Sequence, residues 1–142
     1  MFDIIQRDAM IDAMRRELTD YGVRELRSPE EVDAVISAQK GTILVFVNSV
    51  CGCAAGAARP GLKLSFRSEQ KPDEIVTVFA GQDREATERA RSYFKGFQPS
   101  SPSAYLLKNG EVVAALHRHQ IEGRNAEQVA LQLEQMFAKF CN

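Results

Sequence analysis

Thr42-Ile43-Leu44-Val45-Phe46-Val47-Asn48-Ser49-Val50-Cys51-Gly52-Cys53, running on into Ala54-Ala55-Gly56-Ala57-Ala58, is the stretch from which the fold can be read. Six apolar or β-branched residues in a row, without polar alternation, predict a strand buried on both faces. The polar turn that follows gives way to small residues that open a helix. The start of a helix carries unpaired amide N–H groups, and its dipole favours an anion there. Two thiols stand at this junction, one residue apart. A thiolate, not a thiol, is the nucleophile of disulfide exchange. The stretch therefore predicts a redox site built on Cys51 and Cys53.

Elements on either side extend the pattern. Apolar spacing at Ile4, Ile5, Met10, Ile11 and Met14, with Arg15, Arg16 and Glu17 on the polar side, predicts an amphipathic helix over residues 2–19. Val23–Leu26 reads as a short strand. Ser28-Pro29-Glu30-Glu31 has the N-cap, first-turn proline and capping-box spacing of a helix start. That helix is expected to reach about Gln39, with Gly41 beyond it. The helix after Cys53 contains Pro60, which is expected to kink or split it. Glu74–Phe79 reads as a strand, and Asp83 as the cap of a helix ending near Phe94. Ser103–Leu107 and Glu111–His117 flank Asn109-Gly110, a hairpin signal because a type I′ turn needs positive φ at both positions. A last helix spans Ala126–Phe140, capped by Asn125.

The order α-β-α-β-α-β-α-β-β-α predicts an α/β domain with a central mixed sheet flanked by helices on both faces. It is the order of a thioredoxin-like fold with an added N-terminal helix. The 142 residues contain no repeat, low-complexity tract or long linker, so residues 1–142 read as one domain.

Composition excludes several classes. Eighteen basic and 19 acidic side chains nearly cancel, which gives no electrostatic case for binding nucleic acid or an anionic membrane. No apolar run approaches the roughly 18 residues of a membrane span. Asp3, Arg7 and Asp8 interrupt the basic-then-apolar layout of a signal peptide, so a cytoplasmic location is expected. Cys51, Cys53 and Cys141 are too few for a disulfide scaffold. Cys141, next to last, is expected to be mobile and available.

Gly52 lets the backbone bend between the two thiols, as an intrachain disulfide at i, i+2 requires. Such a ring is small and easily reduced, which suits exchange rather than permanent cross-linking. Cys51, on the turn, is expected to be more exposed and to attack. Cys53, further in, is expected to resolve. Two alternatives stand beside this reading: a pair of buried small hydrophobes, or a metal site completed by His117 and His119. Pro102 occupies the place where thioredoxin-like proteins carry a cis proline beside the redox cysteines; the alternative is a trans proline opening an edge strand. His117 and His119 fall on one side of a strand and read either as a solvated face or as an aid to thiol chemistry.

At these residues the chain closely resembles the bacilliredoxins, small thioredoxin-fold proteins of bacteria that use bacillithiol. The matching segments are Met14–Thr19, Val47–Gly56, Ala58-Arg59-Pro60, Val78–Asp83, Pro99–Ser103, Arg118-His119 and Ile121-Glu122-Gly123. Asn48–Cys53 is the specific one; Lys63–Asp73 departs from the resemblance. The resemblance implies a thiol–disulfide oxidoreductase that strips bacillithiol from protein mixed disulfides, with bacillithiol as thiol co-substrate and no bound cofactor. Bacillithiolated proteins would be its partners. Asn48, Ser49, Gly52, Ser101, Pro102 and His119 would contact substrate, with Arg59 and Arg118 as further candidates. A general disulfide isomerase or reductase and a metal-binding protein using Cys51 and Cys53 remain as alternatives. Cys141 would be a resolving thiol or a passenger, and the oligomeric state stays open between monomer and weak dimer.

Overall fold

The apolar run is the central strand of a five-stranded sheet in the computed structural model, which describes residues 3–38 and 40–142. This strand, β2 (Thr42–Asn48), is buried along its whole length. It runs parallel to β3 (Glu74–Phe79) on one side and antiparallel to β4 (Ser103–Lys108) on the other. Beyond β3 lies the short β1 (Arg24–Glu25), and beyond β4 lies β5 (Glu111–Leu116), giving the order β1-β3-β2-β4-β5. Asn109 and Gly110 join the last two strands with φ of 51° and 89°, the positive values expected of that turn.

Alternation along β2 divides the core into two layers. Leu44 and Phe46 face α1 (Ile4–Thr19) at Leu18, α3 (Arg59–Ser65) at Leu62, and α6 (Ala126–Phe140) at Val129, Leu133 and Phe137. Ile43, Val45 and Val47 face α2 (Pro29–Ile36) and α4 (Arg84–Arg91) through Val32, Val35, Ile36, Ala86 and Ala90. Helices on both faces explain why β2 shows no polar alternation.

Several local expectations are corrected. The expected apolar stripe of α1 is not what docks it: Ile4 and Ile5 are each 78% exposed, while Arg15 and Leu18 are buried. Arg15 sits between Glu25 and Asp83, at 2.8 and 2.6 Å, and over the Phe79 ring, so a charge network fastens the end of this helix. Asp83 is spent on Arg15 and does not cap α4 with its side chain; that helix ends at Arg91, a turn earlier than expected. Helix α2 ends at Ile36; Gln39, its expected end, and Phe2, the expected start of α1, lie outside the described residues.

Pro60 does not split its helix. The path from Gly52 to Ser65 stays helical, with Ala54–Ala58 wound as a π-helix in which the N–H of Arg59 reaches Ala54 O, five residues back. The wider turn removes the clash that a proline ring makes with the i−4 carbonyl of an α-helix. Strand β5 ends at Leu116, and a short helix, α5 (Arg118–Ile121), takes the place of the expected strand end. His117 and His119 therefore do not share a strand face.

Cys141 is not a free tail. It is half-buried against the α3/α6 core layer, its N–H bonds Phe137 O at 2.8 Å, and its thiol lies by Thr42. Thr42 begins β2 and Cys51 follows the strand's far end. Seven residues of strand, roughly 20 Å, separate them. Cys141 is thus not placed to resolve a disulfide on Cys51 of the same molecule.

Candidate active site

Strand β2 delivers the turn that carries the thiols. Asn48 is buried, and its Oδ1 accepts the N–H of Ser49 at 2.9 Å and Nη1 of Arg59 at 3.0 Å. The same Arg59 nitrogen bonds the Ser49 carbonyl at 2.7 Å, and Arg59 Nε pairs with Glu17 of α1. Only 1% of Arg59 is exposed. Asn48 and Arg59, expected as substrate contacts, therefore support the turn from beneath. Sequence reading missed Glu17 as the anchor of this support, although it lies in one of the matching segments.

Ser49 Oγ accepts the N–H of Cys51 at 3.3 Å, and Cys51 O takes the N–H groups of Ala54 and Ala55. Both thiols are free and half-buried, with Sγ atoms 2.8 Å apart. Exposure thus does not rank them; the proton does. Burial pushes the Cys51 thiol up, but hydrogen bonds from Cys53, Ser49 and the Ala54 N–H, with the charge of Arg118, outweigh it and hold Cys51 below the ordinary thiol value. Burial and the hydrogen bond to Cys51 hold Cys53 above it. Of the two, Cys51 is therefore the thiol that gives up its proton more readily. Gly52 between them is exposed, has no positive φ, and faces open space where a side chain would stand. The bend at the thiols does not demand glycine.

Strand pairing brings in the second wall. Val47 pairs with Ser103, so Pro102 faces the end of β2 from which the thiol turn departs. The Ser101–Pro102 peptide is cis and Pro102 is buried. Ser103 Oγ donates to Ser100 O at 2.6 Å. Arg118 at the start of α5 staples this loop: its N–H bonds Ser100 Oγ at 2.9 Å, Nη1 bonds Ser101 O at 3.3 Å, and Nε pairs with Glu122 at 2.7 Å. His119 is exposed and stacks on His117, with ring centroids 5.8 Å apart. Burial, then the charge of His119, keeps His117 below the ordinary histidine value. Among the described residues no three His, Cys, Asp or Glu side chains are grouped to hold a metal ion, so the set of both thiols plus a histidine is not assembled. Among them, too, no helix is long and apolar enough to cross a membrane.

Comparison with known proteins gives the same answer from ancestry. The family model described as disulphide isomerase matches residues 7–141. A bacilliredoxin of Halalkalibacterium halodurans is 50% identical over 99% of this chain and 96% of its own. One from Staphylococcus saprophyticus is 49% identical over 99% and 95%. Among solved structures, Fasciola hepatica thioredoxin aligns with a TM-score of 0.58 at 18% identity, covering 83% of this chain and 99% of that one. Schistosoma mansoni thioredoxin aligns with 0.58 at 21%, covering 83% and 97%. These two show a shared thioredoxin fold. Identity near one half along almost the whole of both chains reflects common descent, and the protein belongs to the bacilliredoxin family, which places it in thiol–disulfide redox chemistry.

Proposed function

We propose that the protein removes bacillithiol from protein mixed disulfides in the cytoplasm. The observation that carries this reading is a pair of thiols 2.8 Å apart, with Cys51 held below the ordinary thiol value and Cys53 above it. The Cys51 thiolate attacks the bacillithiol sulfur of the capped protein. A Cys51–bacillithiol bond forms, the capped disulfide breaks, and the departing protein thiolate takes up a proton. Cys53, once deprotonated, attacks Cys51 Sγ. The Cys51–Cys53 disulfide forms and bacillithiol leaves as a thiol; a second bacillithiol attacking the same mixed disulfide would instead leave as bacillithiol disulfide. An intrachain disulfide returns to the dithiol with two electrons from an external thiol reductant. In this reading Ser49, Gly52, Ser101, Pro102 and His119 would contact the incoming disulfide, with Asn48 behind the turn.

The test is mass spectrometry of Cys53→Ser after mixing with a bacillithiol-capped test protein. One bacillithiol gained on Cys51, with the test protein freed, is the expected result. A second reading, protein disulfide isomerisation, is favoured by the description of the matching family model. No transfer from the cap, with exchange on a peptide disulfide intact, would select it.

A further inference from the structure

Between the loop that ends in Ser101 and helix α5 lies an open cleft of about 740 Å³. That is the size of a small-ligand site. Its fixed charges are two guanidiniums, Arg91 and Arg118, against one carboxylate, Glu122. Glu122 is engaged, since it holds Arg118 Nε at 2.7 Å.

Arg91 is the informative member. Three arginines of the described residues are not on the exposed surface: Arg15, Arg59 and Arg91. The first two each bond a carboxylate. Arg91 has no ion pair among the described residues. Its Nε is buried without a hydrogen-bond partner, and its Nη2 reaches only the Ser100 carbonyl, at 3.4 Å. A buried donor with no partner is unfavourable and calls for an unseen acceptor. The planar fork of an arginine matches a carboxylate.

Two features tie the cleft to the chemistry. Ser101, on its rim, precedes Pro102, which faces the end of β2. Arg118, its second cation, lies close enough to the thiols for its charge to favour the thiolate. A ligand with its sulfur at Cys51 and an anionic tail in the cleft would satisfy both ends. We propose that this cleft is the subsite for a carboxylate tail on the small-thiol half of the mixed disulfide, with Arg91 and Arg118 as its contacts. The proposal rests on the exchange reading above and adds which half of the disulfide the protein recognises.

The experiment uses one test peptide capped in two ways: with N-acetylcysteine, which carries a carboxylate, and with N-acetylcysteamine, which lacks only that group. The ratio of kcat/KM for the two caps is measured for the wild type, Arg91→Gln and Arg91→Lys. A wild-type ratio of about ten that falls to about one in Arg91→Gln, and partly returns in Arg91→Lys, is expected for one charge-assisted contact. A ratio that does not change in Arg91→Gln overturns the subsite and leaves the exchange reading standing. A preference that follows an acidic residue of the peptide rather than the cap also overturns it, since the cleft would then take the protein half. If neither cap is exchanged, the exchange reading fails, and titrating succinate into reduced wild-type protein decides the site. A shift of the Arg91 Nε–H NMR signal keeps an anion site; no shift removes it.

Discussion

Arg59 Nη1 lies 3.0 Å from Asn48 Oδ1, in a fully buried contact that joins helix α3 to the last residue of the central strand. The guanidinium also holds the Ser49 carbonyl and the Glu17 carboxylate. One side chain thus fixes α1, α3 and the turn carrying Cys51. Arg59→Met keeps much of the volume and leaves two buried acceptors short of a donor. A loss of about 3 kcal/mol in urea denaturation is expected. Arg59→Lys keeps the charge without the fork, and recovers only part of this. Full stability in Arg59→Met would show that the turn holds itself.

The lowered Cys51 thiol predicts a pH profile. Cys51 titrates below the ordinary thiol value, and only its thiolate reacts with iodoacetamide. The rate therefore rises as pH climbs through a midpoint below that of a cysteine peptide run alongside. Cys53→Ala removes the S–H that stabilises the thiolate, so the midpoint moves up towards the peptide. A midpoint unmoved by Cys53→Ala would assign the lowering to Ser49, the Ala54 N–H and Arg118 instead.

Cys141 offers a control with a definite sign. It sits by Thr42, at the opposite end of β2 from the thiol turn, and burial pushes its thiol up. Cys141→Ser should leave exchange kinetics within about twofold of wild type, because a roughly 20 Å strand separates it from Cys51. In the native protein, mass spectrometry after brief alkylation at neutral pH should find label on Cys51 before Cys141. A tenfold loss of exchange in Cys141→Ser would mean that the C-terminus reaches the site.

What could be read from sequence is what neighbours in sequence decide. The run Thr42–Val47, the Ser28 and Asn125 caps and the Asn109-Gly110 turn depend on residues within a few positions, and all appear as expected. Arg15 and Asp83 escape a local reading because each is explained by the other, 68 positions away. The π-helical turn before Pro60 was out of reach because it replaces one hydrogen-bond offset with another, a choice that composition does not encode. Helix α5 has four residues, too few to show a period. At the site, the thiols and Pro102 were legible from type and order. Arg91 was not, since its distinguishing property is a partner it lacks.

Helix α3, which follows the thiols, is held against α6 at Gly61. A Cβ on Gly61 would stand 2.6 Å from Val129 Cγ1 and 3.0 Å from the Ala126 carbonyl. Both obstacles belong to α6; one is a branched side chain with little freedom in a helix and the other is backbone. Gly61→Ala should therefore force the two helices apart, at a cost of about 1–3 kcal/mol read as a lowered Tm. Gly56, in the π-helical turn of the same helical path, is the comparison. It is exposed and nothing stands within 4 Å of a Cβ placed there. Gly56→Ala should leave Tm within a few degrees of wild type, since it adds a methyl to open space and reduces the freedom of the unfolded chain. A displaced α3 also shifts Arg59 and the Ser49 turn, so Gly61→Ala should slow alkylation of Cys51 while Gly56→Ala does not. Equal Tm values for the two variants would mean that α3 and α6 pack less closely at Gly61 than the 2.6 Å approach requires.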